Sequence, residues 1–237
     1  NEGNKGNEGN RGNEGNEGNK GNEGPKGNMD VTGIMDAPVA HGLVTAYELG
    51  SGALKWQVDL GATWEANNAA SIGRVGGPGT PLAVVVAVGP NPMPTLPQAI
   101  GLKPADGTNG PPLGAKTIAL DAATGNIVWT YDMPTWHGGN AGDNPGHICL
   151  PDESANVAIG ADGFVYVPHE DGRIYSIKDA DSDGTISAGE VDWFDTKMGF
   201  QGSPAIAPDV LAIAPCDGMA VFMTPEGQLR AKQSRRS

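Results

Sequence analysis

The sequence is short of cysteine, of aromatics and of positive charge, and it has no long apolar run. Its two cysteines, Cys149 and Cys216, stand far apart, and neither belongs to a Cys-x-x-Cys pair. That excludes a cysteine-rich zinc site. Two readings remain open for them: a disulfide formed in an oxidising compartment, or two unrelated buried thiols. Aromatics make up 5% of the 237 residues, whereas there are 37 glycines and 19 prolines. Many turns and short strands are therefore expected, with little helix. Fifteen Lys and Arg face 28 Asp and Glu, for a net charge of −13. Nucleic acid is excluded as an expected partner, because binding it requires bases that neutralise phosphates. No apolar run approaches the roughly 20 residues that cross a bilayer. The longest, Pro81 to Val88, is strand-sized. The chain begins at Asn1 without an initiator Met, so a processed product or a fragment is expected, from which a signal peptide would be missing.

Residues 1–28 place glycine at every third position from Gly3 to Gly27, mostly followed by Asn, with Glu, Lys or Arg between. The segment has no apolar side chain to bury against its ordering entropy, so a disordered polar linker is expected. The Gly-X-Y spacing also permits a collagen-like triple helix, but Pro25 is its one proline. The organisation expected is an arm at 1–28, a body at 29–232 and a basic tail at 233–237.

In the body, one pattern recurs. It reads Ala46-Tyr-Glu48-Leu-Gly-Ser51-Gly52, ending at Trp56, and again Ala119-Leu-Asp121-Ala-Ala-Thr124-Gly125, ending at Trp129. A third version starts at Ser176-Ile-Lys178 and resumes at Gly189, ending at Trp193. Recurrence at fixed spacing signals a repeat architecture. Alternating residues such as Thr117 to Leu120 form one strand, Asp and Thr bond the backbone of the turn, and glycine supplies its positive φ. Asn126 to Tyr131 is the return strand, and Trp129 on it offers a large apolar face with a polar indole N–H. Upstream of the third motif, Val157–Ile159, Phe164–Val167 and Arg173–Ile177 are joined by Asp-Gly turns. Ser203–Ile206, Val210–Ala214 and Met219–Met223 repeat the scheme, which is an antiparallel meander of the size of a propeller blade.

The motif at Ala119 to Trp129 and its two variants resemble the pyrroloquinoline-quinone-type (PQQ) repeat family of β-propellers. The resemblance implies an all-β fold, here a partial propeller of three to four antiparallel four-stranded blades, near 29–64, 67–136, 153–197 and from Phe200 onward. It also implies that Trp56, Trp129 and Trp193 dock between adjacent blades. Family members include quinoprotein dehydrogenases, whose propellers have eight blades, and non-enzymatic scaffolds. Three to four blades imply a fragment, or closure through self-association. The segment 89–114 is expected to be an exposed insertion.

The third motif holds a second signal. Asp179, Asp181 and Asp183 occupy positions 1, 3 and 5 of an EF-hand calcium loop, Gly184 the sharp turn, and Glu190 position 12. Thr185 would supply its backbone carbonyl and Ser187 would bind directly or through water. Ca²⁺ prefers six to eight hard oxygen ligands, and this set offers them. Asp121 and Gly125 are four positions apart and Lys178 and Gly189 eleven, so seven residues have been added to one hairpin turn. The flanks are strands rather than helices, which points to a calcium brace and not a switch. In this the loop resembles the calcium hairpins of integrin-type propellers.

Other constellations carry less. His137, Asp143, His147 and Cys149 could ligate a transition metal, but a long interblade loop is the plainer reading. His41 and His169 are expected on the surface or in turns. Gly73 to Gly79 lacks the Lys-Ser/Thr of a phosphate loop and reads as a turn. Ser51 and Ser203 lie in no nucleophile elbow. No adjacent-cysteine pair of the quinoprotein kind is present. The expectation is a calcium-binding, non-catalytic propeller module for protein interaction or scaffolding, secreted or in a luminal compartment, with no membrane span. Its alternatives are a fragment of a PQQ-dependent oxidoreductase, or a matrix or stalk protein assembled through the Gly-X-Y arm.

Overall fold

The computed structural model describes residues 41–62, 64–66, 68–89, 114–135, 154–200, 202–216 and 218–228. All belong to the compact unit Ala37–Ser237. The arm at 1–28, the insertion near 90–113, the tail, and His137, Asp143, His147 and Cys149 lie outside the described residues.

The unit is all-β. Sheet I pairs β1 (His41–Tyr47) with β2 (Leu54–Ala62). Sheet II runs β3 (Ser71–Gly73), β4 (Ala83–Val88), β5 (Lys116–Asp121), β6 (Ile127–Asp132). Sheet III runs β7 (Ala158–Ile159), β8 (Val165–Pro168), β9 (Arg173–Ile177), β10 (Val191–Asp195). Sheet IV runs β11 (Ala205–Ala207), β12 (Val210–Ile213), β13 (Ala220–Met223). Every pairing is antiparallel between sequence neighbours. Two sheets thus reach four strands among the described residues. In sheet IV a helical turn at 225–228 follows β13 and ends the described residues.

Apolar side chains on both faces of the inner strands hold the sheets together in chain order. Every residue of β4 is buried, which explains why Ala83 to Val88 is continuously apolar rather than alternating. Val84, Val86, Ile118 and Leu120 face sheet I and pack with Val44 and Trp56. Val85, Ala119 and Trp129 face sheet III and pack with Val165, Val167, Tyr175 and Ile177. Ile174 of sheet III joins Phe200 and Ile213 in a third cluster, against which Leu211 and Phe222 of sheet IV pack. Consecutive antiparallel meanders stacked face to face form a partial β-propeller. No helix among the described residues is long and apolar enough to cross a membrane.

Candidate functional site

The repeated turns are built alike. In the turn after β5, Asp121 Oδ1 accepts from Ala123 N (3.0 Å), Thr124 N (2.8 Å) and Thr124 Oγ1 (2.8 Å). Gly125 N donates to Asp121 O (2.8 Å), and Asp121 N to Asn126 O (2.7 Å). The Thr124 hydroxyl bonds hold the Asp121 carboxyl below its ordinary range. Gly125 adopts φ +79°. A Cβ there would lie 2.9 Å from the Trp56 ring, and Trp56 Nε1 donates to Ala122 O at 3.1 Å. Blade one therefore seats its tryptophan on the turn of blade two, and Trp56 is 9% exposed. Trp129 is 1% exposed, in the core shared by sheets II and III, although its indole N–H has no partner among the described residues. Trp193 is 52% exposed.

In sheet III the same turn position holds the inserted loop. Lys178 N donates to Glu190 O (3.1 Å) and closes its base. Inside, Asp179 Oδ2 accepts from Gly184 N (3.0 Å), and Oδ1 from Asp183 N (3.2 Å). Asp183 Oδ1 accepts from Thr185 N (2.7 Å). Ser182 and Gly184 both have positive φ, 62° and 82°. These bonds fold the chain back so that Asp179, Asp181 and Asp183 each present a carboxylate oxygen within 4.8 Å of the others. Asp179 is buried and the other two are exposed. The nearest base in sequence, Lys178, points away: its Nζ donates to Asp162 O (2.9 Å) and lies 5.2 Å from the Phe164 ring centroid. Three convergent carboxylates with no basic side chain paired to them among the described residues are chemically suited to a hard cation.

Glu190 stands outside that group of three. Its Oε2 accepts from Ser187 N (2.9 Å) and Ser187 Oγ (2.8 Å), and its Oε1 from Ala180 N (2.6 Å). The Ser187 N–H, the Ala180 N–H and the Ser187 hydroxyl hold its carboxyl down at about 2. The Ser-x-x-Glu spacing at 187–190, a capping pattern, carries that arrangement in the sequence. The loop also packs on its neighbour. A Cβ on Gly184 would lie 3.2 Å from Val128 O of β6, and Ile186 packs on the core containing Trp129.

His169 lies in a turn as expected, with Gly172 N donating to His169 O at 3.1 Å, but its side chain is fully buried rather than on the surface. Its Nδ1 lies 3.1 Å from Asp171 Oδ1, and its ring meets Tyr175 edge-on at 6.0 Å. Asp171 also accepts from Arg173 N (3.0 Å) and from the Tyr175 hydroxyl. Burial acts to raise the Asp171 carboxyl, but its bonds to His169, Tyr175 and Arg173 hold it below the usual range. Burial first, and the bond to Asp171 second, push Tyr175 up. Residues 169–172 form the turn into β9, so strand alternation gives no signal of this burial in the sequence. His41 opens β1. Cys216 is disulfide-bonded.

No protein-family model and no curated protein matches the chain. Among solved structures the chain is similar to BamB from Moraxella catarrhalis, with 17% identity over 78% of this chain and a TM-score of 0.32. The match covers 53% of that protein, so this chain spans about half its length.

Proposed function

We propose that the loop 179–190 binds Ca²⁺ through Asp179, Asp181 and Asp183, assisted by the Thr185 carbonyl and Ser187, and that the ion braces the β9–β10 hairpin of a non-catalytic, PQQ-type propeller module. The convergence of the three aspartates at positions 1, 3 and 5 of an EF-hand-like loop carries this reading. Glu190 shapes the loop through its backbone bonds and completes the coordination by turning toward the ion. The module's work is protein interaction or scaffolding, since a rigid disc of sheets displays its connecting loops. A calcium-rich extracellular or luminal compartment suits a site with exposed ligands.

The test is thermal unfolding with Ca²⁺, with Mg²⁺ and with chelator. An ion bound only by the folded chain raises stability by RT ln(1 + [L]/Kd), about 2.7 kcal/mol at a hundredfold excess over Kd. A rise with Ca²⁺ that Mg²⁺ does not reproduce is expected. Identical unfolding in all three conditions contradicts the proposal.

A further inference from the structure

Trp193 and the turn at Glu48–Gly52 each resemble one half of the contact that Trp56 makes with the Gly125 turn, and neither meets such a counterpart among the described residues. The turn after β1 matches the turn that seats Trp56. Gly52 N donates to Glu48 O at 2.8 Å, as Gly125 N does to Asp121 O at 2.8 Å. Glu48 N donates to Ala53 O (2.8 Å), as Asp121 N does to Asn126 O (2.7 Å). Ala53 N donates to Ser51 Oγ and Asn126 N to Thr124 Oγ1, both at 3.2 Å. The glycines have φ +69° and +79°. Yet a Cβ on Gly125 would meet the Trp56 ring, while one on Gly52 would have nothing within 4 Å. The seat is formed, and nothing among the described residues fills it. Leu49 at its tip is fully exposed, and Tyr47 and Leu54 beside it are 63% and 58% exposed.

Trp193 is the converse. It occupies the repeat position of Trp56 and Trp129, but its ring borders a groove of about 940 Å³ between sheets III and IV. Leu211, Phe222 and Met223 line the opposite wall. The sheet IV turn cannot seat it as the sheet II turn seats Trp56. A Cβ on Gly227 would lie 2.8 Å from Asp209 O, so that glycine packs on its own sheet. Arg173 covers one face of the indole at 4.4 Å, and the exposed remainder belongs to the groove.

We propose that a second copy of this chain fills the groove with its Glu48–Gly52 turn, seating Trp193 as Gly125 seats Trp56. The contact is heterologous, with tryptophan on one copy and turn on the other, so copies associate head to tail. Leu49 enters the apolar groove. Glu48 approaches a rim carrying Asp162 and Asp192, and its ion pair with Lys55 (3.9 Å) offsets part of that repulsion. A hairpin tip buries less than the roughly 1,200 Å² of a standard stable interface, so the association is weak. It does not depend on calcium.

Sedimentation velocity of the full chain across a concentration series, in chelator, tests it. The wild type gains mass with concentration. Trp193→Ala and Leu49→Glu, both changes at exposed side chains, each weaken association about tenfold or more while retaining wild-type circular dichroism. The two variants mixed together form a heterodimer, because one intact tryptophan still meets one intact turn. A wild type that stays monomeric, association that survives either change, or a mixture that fails to pair overturns the proposal.

Discussion

Trp56 and Gly125 lie 69 positions apart and form one contact: the indole packs so close to the glycine that a Cβ there would stand 2.9 Å from the ring atoms. The glycine is required twice, by its φ of +79° and by the ring above it. Gly125→Val is therefore expected to destabilise the chain by about 2–4 kcal/mol, combining left-handed strain with overpacking. Gly52→Val, with the same φ class and open space above it, should cost less. Urea unfolding of the two variants compares them directly, and equal losses would show that the ring contact contributes nothing.

The three repeat tryptophans differ in burial, so their truncations should differ in cost. Trp129→Ala empties a fully enclosed site between sheets II and III and is expected to cost about 3–5 kcal/mol. Trp193→Ala, at a half-exposed ring, should cost under about 1 kcal/mol at concentrations where the chain is monomeric. Thermal unfolding in dilute solution ranks them.

Asp171 ties His169, Arg173 and Tyr175 together, and Asp171→Asn should cost about 1.5–3 kcal/mol at neutral pH. Its carboxyl is held below the ordinary 3.8, so the stability it contributes is present above that pH and is lost as the pH falls through the lowered value. The gap in melting temperature between wild type and variant should therefore shrink as the pH drops below 3.8. A gap independent of pH would assign the loss to packing alone.

Glu190→Gln keeps the shape of the side chain but removes the charge that receives Ser187 N, Ser187 Oγ and Ala180 N. Faster hydrogen exchange at Ala180 and Ser187 is expected even without added metal, because those bonds do not involve an ion. Unchanged exchange at both amides would deny Glu190 its shaping role.

The local chemistry was legible in the sequence. Asp121 and Thr124 announce their turn because short polar side chains bond nearby backbone, and glycine at position 125 marks its positive φ. Asp179, Asp181 and Asp183 declare themselves by spacing. What the sequence does not display is where distant segments meet. Nothing local says that Trp56 is seated by the next blade and Trp193 is not, since that depends on how the following sheet turns after β13. The burial of His169 was hidden for a related reason: a histidine beside Asp and Gly reads as a surface turn until Tyr175 and Asp171 are seen closing around it. Glu190 reads as a ligand by position, whereas the capping pattern from Ser187 explains where its oxygens point.

Calcium binding by the loop is measured by calorimetric titration of the folded chain with Ca²⁺, beside Asp181→Asn/Asp183→Asn. Both substituted side chains are exposed, so the variant should fold. One calcium site is expected in the wild type, in the micromolar to millimolar range seen for weaker EF-hand and extracellular calcium modules, and its loss is expected in the variant. A folded wild type that releases no binding heat at any temperature tried, and whose melting temperature calcium does not move, would contradict that expectation.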